Sequence, residues 1–145
     1  MKYTHFANLK VPGPTKTPLT EPFWQAAAKG ELHTQYCERC HSYVFYPREV
    51  CPFCWSNQLT WCQLSGQAKI KTYTTIWKPG HPSWAAVTPY TVGVIQLAEG
   101  PSMLALLLLE REQLEIGLPV SFKTINLGGQ MMPAFTIPED QYHDK

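Results

Sequence analysis

The sequence predicts a mainly β protein in three successive parts: an N-terminal helical segment, a metal-binding ribbon and a five-stranded barrel of the OB type. Three observations predict it. Two Cys-x-x-Cys pairs, Cys37-Glu38-Arg39-Cys40 and Cys51-Pro52-Phe53-Cys54, lie a short segment apart, so four thiolates can converge on one tetrahedral ion. Past Ser65-Gly66 the chain alternates apolar and polar residues in runs bounded by Gly and Pro, without the helical crossovers of a parallel sheet. Thirteen prolines favour strand ends and turns over long helices.

At 145 residues the chain is one ordinary domain or a small module joined to a larger one. Its formal net charge of +1 exerts no global pull toward nucleic acid or an acidic membrane. Only 16% of residues are charged while 12% are aromatic, a balance that fits a protein with part of its surface covered by a partner. Four of five cysteines fall in the paired motif and no N-terminal apolar h-region is present. A reducing, cytoplasmic setting is expected, with the pairs binding metal rather than forming disulfides. The longest apolar run, Met103 to Leu109, is too short to span a bilayer, so no membrane is expected as a partner.

Residues 1–31 read as an arm followed by a helix. Met1 to Leu19 carries Pro12, Gly13, Pro14 and Pro18 without a sustained period and reads as an extended arm, expected to be a disordered tail in preference to an arm that docks on a partner. Thr20 is placed to cap a helix, with Glu21 and Pro22 in its first turn and Gly30 as its stop. Phe23, Ala27 and Trp24 make the apolar stripe. Phe23 and Trp24 are therefore candidates either for internal packing or for docking on a partner.

Residues 32–62 form the ribbon: knuckle, strand, knuckle. Tyr43 to Tyr46 is strand-like and Pro47 ends it. The segment Cys37 to His41 also fits a c-type haem attachment pattern, which leaves Cys51 and Cys54 unexplained. A redox dithiol needs only one pair, on a βαβ background that is absent. A four-thiolate iron site remains open, although His41 and Trp55 stand where a glycine follows the second cysteine in such knuckles. Structural Zn²⁺ held by Cys37, Cys40, Cys51 and Cys54 accounts for all four ligands. Cys62, beside Trp61, reads as a buried strand residue.

Residues 63–138 are assigned to the barrel. Its first strand places Ala68, Ile70, Thr72, Thr74 and Ile76 on one face, and Lys69, Lys71, Tyr73, Thr75 and Trp77 on the other. Lys78 to Pro89 is expected to be a loop. Trp77, Lys78, His81, Trp84 and Tyr90, on or beside it, are candidates for ligand or partner contacts. Tyr90 to Ala98 is the second strand. Ser102 to Leu109 is the third, apolar on both alternating sets, so both of its faces should be covered, by this chain or by a second protein. Val120 to Ile125 and Ala134 to Ile137 supply the last two strands across a Gly128-Gly129 turn. Residues 139–145 read as a frayed tail.

Taken in order, Phe23-Trp24, the two cysteine pairs, Leu59-Thr60-Trp61, Ser65-Gly66, Pro89-Tyr90 with its Val-Gly-Val strand, Glu99-Gly100 and Gly117-Leu118-Pro119-Val120 resemble one family. That family joins a rubredoxin-like zinc ribbon to an OB fold and is known as a domain of unknown function. The resemblance covers about Glu21 to Ile137. It implies an acyl-CoA-associated accessory protein, not an independent enzyme. Its members accompany thiolases, thiolase-like lipid-transfer aldolases, 3-hydroxy-3-methylglutaryl-CoA synthases or MaoC-like hydratases, and some help bind or pass CoA thioesters. A homo-oligomer is a further arrangement compatible with the sequence.

Two other functions compete. A nucleic-acid-binding module would use Lys69, Lys71, Tyr73 and Trp77 on one strand face, but the near-neutral charge opposes phosphate binding. An autonomous metalloenzyme is disfavoured because four thiolates leave zinc no open position.

Overall fold

The computed structural model describes residues 4–138. The polar tail over 139–145 lies outside the described residues. The sequence signals converge on three units around one apolar core, with no helix among the described residues long and apolar enough to cross a membrane.

Helix α1 (Glu21–Ala28) is short and alanine-rich, with Pro22 in its first turn. Thr20 occupies the N-cap position, but its side chain makes no cap hydrogen bond. Its Oγ1 instead accepts the Thr17 backbone N–H at 3.0 Å, tightening the turn that enters the helix. The predicted stop at Gly30 is present. Gly30 adopts φ +80°, its N–H bonds Ala27 O, and Glu31 N–H bonds Ala26 O at 2.9 Å. This paired closure needs a left-handed residue, which glycine adopts without a Cβ clash.

The ribbon is a three-stranded antiparallel sheet of β1 (His33–Cys37), β2 (Tyr43–Val44) and β3 (Leu59–Gln63), with β1 in the centre. The central strand goes beyond the predicted single strand between knuckles. Its sequence His-Thr-Gln-Tyr-Cys is too polar to signal burial, yet Thr34 and Gln35 are buried. Both are satisfied there. Thr34 Oγ1 donates to Val44 O, and the Gln35 amide bonds both Arg48 N–H and Arg48 O, at 2.7 and 2.8 Å.

The barrel closes in the order β4-β5-β6-β8-β7. Its strands are β4 (Gln67–Ile76), β5 (Tyr90–Leu97), β6 (Ser102–Leu107), β7 (Pro119–Leu127) and β8 (Gln130–Thr136). All neighbouring pairs are antiparallel except β6 and β8. Closure removes the exposed sheet edges that would otherwise template aggregation. The interior holds Ile70, Ile95, Leu97, Met103, Val120 and Phe135, and the same cluster takes in Phe23 of α1 together with Leu32 and Leu64 from the ribbon's margins. Helix, ribbon and barrel therefore share one core.

Two expectations need correction. The face alternation predicted for the first barrel strand holds only at Ala68 and Ile70. A register irregularity between Ile70 and Thr72 offsets the remainder, so Thr72 and Thr74 are exposed while Thr75 turns partly inward. An irregularity of this kind changes which residues face inward without altering the sequence pattern. The second correction concerns the arm. Thr4–Asn8 forms a 3-10 turn, and Phe6 and Leu9 are buried against Leu106, Leu108, Ile125, Leu127 and Ala134 on the barrel's outside. The described part of the arm is thus packed chain rather than a disordered tail, and it covers Leu106 and Leu108 on the outer side of the β6 run while Leu104 stays exposed.

Candidate metal centre and binding surfaces

Each cysteine pair sits on a tight turn, and the two turns repeat one hydrogen-bond pattern. In the first, Cys37 N–H bonds Ser42 O and His41 N–H bonds Cys37 O. In the second, Cys51 N–H bonds Ser56 O and Trp55 N–H bonds Cys51 O, all at 2.8–2.9 Å. The pattern requires a left-handed residue after each second cysteine, and His41 (φ 62°) and Trp55 (φ 66°) supply it. The Phe53 N–H also points at Cys51 Sγ, 3.4 Å away.

The four sulfurs converge. Cys37 and Cys54 Sγ lie 3.6 Å apart, as do Cys40 and Cys51 Sγ, and all four lie within 4.8 Å of one another. A tetrahedral ion with metal–sulfur bonds of about 2.3 Å calls for sulfurs roughly 3.8 Å apart. The donor set therefore fits zinc in size and softness, and the separations far exceed a disulfide bond. A hydrogen bond from Ser42, with others from the neighbouring sulfurs, pulls the Cys40 thiol down to about 6. Cys54 is pushed up to about 11: burial and the other three sulfurs overcome the opposing Ser56 backbone hydrogen bond. Cys62 is outside the cluster, on β3 as expected but half-buried rather than buried. Its thiol is raised by desolvation and by the Glu99 and Glu38 carboxylates. That environment suits a packed thiol and not a nucleophile.

The surface candidates separate into two places. Phe23 is buried and meets Trp24 and Phe45 edge-on, at 4.9 and 5.9 Å between ring centroids. It is a core residue. Trp24 is half-buried and lines an apolar groove with Tyr46, Pro47, Leu104, Met132 and Pro133. Tyr46 and Leu104 are 52% and 57% exposed, which makes them the open part of the groove. The Tyr46 hydroxyl accepts the Leu104 N–H at 3.0 Å, tying ribbon to barrel. Sequence reasoning missed Tyr46 and Leu104, because each belongs to an otherwise buried-looking strand run.

The second place is the segment after β4. Far from being an open loop, it contains a 3-10 helix over Pro82–Val87. His81 caps it by accepting Ser83 N–H at Nδ1, 3.1 Å, so the histidine has a structural task. Trp84 packs on Tyr90 with centroids 4.9 Å apart, beside the buried Val87. Trp77 is exposed, and the Arg111 guanidinium carbon lies 4.7 Å over its ring. Lys78 is exposed.

These units define a class: a closed four-cysteine ribbon preceding an OB barrel. Family models match both parts, the "ChsH2, rubredoxin-like zinc ribbon domain" over residues 24–60 and the "ChsH2, C-terminal OB-fold domain" over residues 61–124. The chain belongs to this zinc-ribbon plus OB-fold family. A "DUF35 domain-containing scaffold protein" of Pyrococcus furiosus is 37% identical over 61% of this chain and 64% of its own length. A "Probable enoyl-CoA hydratase alpha subunit" of Thermomonospora curvata is 27% identical over 82% of this chain but 38% of its own. This chain thus spans less than two-thirds of either relative. Among solved structures, an "Ltp2-ChsH2(DUF35) aldolase" chain superposes with TM-score 0.76 at 25% identity, covering 86% of this chain and 98% of that one. A DUF35 protein of unknown function from Sulfolobus solfataricus shares the fold, with TM-score 0.59 at 14% identity, over 85% and 87% of the two chains.

Proposed function

We propose that the chain is a non-catalytic, acyl-CoA-associated accessory subunit that binds an aldolase, hydratase or thiolase-like enzyme. The observation that carries this reading is the exposed apolar groove shared by α1, the ribbon and the barrel. Uncharged residues lining a groove across three units favour burial against another protein. The printed names of the relatives support the class of partner: one is a scaffold protein, one a hydratase subunit, one a chain of an aldolase assembly.

In this reading Cys37, Cys40, Cys51 and Cys54 hold Zn²⁺ as a structural cross-link in a reducing cytoplasm. Four thiolates complete the ion's coordination, so the metal fixes the ribbon and offers no site for an activated water. The groove inherits its shape from that fixation, because Tyr46 is on the ribbon side and Leu104 on the barrel side. The accessory chain would also help bind or pass the partner's CoA thioester.

Purification of the chain from its host, followed by identification of stoichiometric companions, tests the proposal. An acyl-CoA aldolase, hydratase or thiolase-like enzyme is expected. Recovery of the chain alone, or with an enzyme of unrelated chemistry, contradicts it. A second reading, single-stranded nucleic-acid binding, rests on exposed Lys69, Lys71 and Tyr73. It requires salt-dependent binding that a Lys69/Lys71 double substitution abolishes.

A further inference from the structure

The two ends of the barrel are closed differently. Near the start of β6, Phe23 packs into the core and Tyr46 bonds Leu104 N–H. At the other end, where β4 and β6 finish and β5 begins, the chain contributes the 3-10 helix Pro82–Val87 and the three-residue 3-10 turn Arg111–Gln113. Beside that turn is a cleft of about 270 Å³. Leu106 to Leu109 run along it, and Phe6 of the arm and Val87 of the 3-10 helix add apolar walls. Thr75 and Thr91 also line it, and their hydroxyls hydrogen-bond each other at 3.0 Å. They demand no further polar partner, although Thr91 is only 6% exposed.

Among the described lining residues the charged ones are Glu110 and Arg111, both exposed to solvent. Glu110 is engaged by its own turn, in a reciprocal capping box with Gln113. The Arg111 guanidinium rests on the Trp77 ring, which restricts its rotamers and leaves its N–H edges available for a planar anion. An apolar slot with a permanently charged, pre-positioned guanidinium at its entrance selects a particular chemistry.

We propose that this cleft binds a small amphiphilic anion: an unbranched apolar chain ending in a carboxylate. At roughly 30 Å³ for each water-sized group, the volume accommodates on the order of nine or ten non-hydrogen atoms, the size of a seven- or eight-carbon acid. The chain would lie along Leu106 to Leu109, with the carboxylate against Arg111. This site goes beyond the accessory-subunit reading, because it is a property of the isolated chain and needs no partner.

The test uses the full metal-loaded chain and sodium octanoate as the probe, followed by tryptophan fluorescence. Trp84 beside the cleft and Trp77 under Arg111 are built-in reporters. Saturable binding is expected. Arg111→Gln should weaken it about tenfold or more, the cost of a lost charge-assisted hydrogen bond, while Arg111→Lys restores part of it. 1-Octanol, which has the chain without the charge, should bind both proteins equally. Val87→Trp, which fills the cleft, should block octanoate with Arg111 intact. The exposed Arg111→Gln variant keeps the test decisive even if Val87→Trp fails to fold. No saturable signal across the millimolar range, or equal octanoate affinity in wild type and Arg111→Gln, overturns the proposal.

Discussion

His41 and Trp55 carry left-handed backbone at the closing position of each knuckle. For an L-residue with a Cβ that conformation costs about 1–2 kcal/mol, a cost that glycine avoids. Trp55 is also 79% exposed, so little packing is lost on replacing it. Trp55→Gly should therefore be more stable than Trp55→Ala by about 1 kcal/mol, read as a difference in denaturant midpoint on metal-loaded protein. Equal stability would show that the knuckle relaxes away from the left-handed geometry. Cys62 supplies a second test at this scale. Its thiol keeps its proton above the ordinary value of 9.0 because of burial and the nearby carboxylates. Neutral Cys62 therefore supports the fold fully below pH 9, and that support drains away as pH rises beyond it. Iodoacetamide labelling of Cys62 in the metal-loaded protein should show a midpoint above 9; one below 9 would refute the assignment.

Among the elements, the arm depends on the β7–β8 turn. Gly128 donates its N–H to Phe6 O at 3.1 Å, and with φ +62° a Cβ there would lie 2.6 Å from Leu9 O. Gly128→Ala should release the arm. Faster proteolysis between residues 9 and 20, with the barrel still folded, is the expected result; unchanged proteolysis would place the arm's anchorage elsewhere. The arm also shows where sequence reading reaches its limit. β6 was legible as an apolar strand because every position from Met103 to Leu109 is apolar, but this chain covers its outer face only at Leu106 and Leu108 and leaves Leu104 exposed. That cover was not legible, because Phe6, Leu9 and Val11 follow neither a helical nor a strand period and gain their burial only from distant strands. The irregularity after Ile70 was hidden for a similar reason: one slipped residue leaves the alternation unchanged in sequence. The metal site was readable because its ligands come in two local pairs. The cleft was not, since Phe6 of the arm, the β4–β5 pair Thr75 and Thr91, and Arg111 are distant in sequence and meet only in the folded chain.

At the scale of the whole molecule, the ribbon's small cluster of Cys37, Val44 and Cys51 cannot hold a three-stranded sheet by burial alone. Metal binding in such ribbons supplies on the order of 10 kcal/mol of apparent folding free energy. Cys51→Ser should therefore abolish stoichiometric zinc and unfold the ribbon, and chelation of wild type should do the same. Retained zinc and an unchanged melting profile would contradict the four-cysteine site. Because Phe23, Leu32 and Leu64 join the barrel core, ribbon loss should also lower the barrel's own melting temperature.

In the proposed complex the metal-fixed ribbon shapes an apolar groove on which a partner enzyme docks. Calorimetric titration of the co-purified partner into three forms of the chain tests it most directly: wild type, Leu104→Glu and chelated protein. Leu104 is 57% exposed, so its substitution leaves the core intact. A charge buried at the centre of an interface costs several kcal/mol. Tight binding by wild type is expected, with loss of at least about a hundredfold in affinity for each of the other two forms. Undiminished binding by Leu104→Glu and by chelated protein would contradict it.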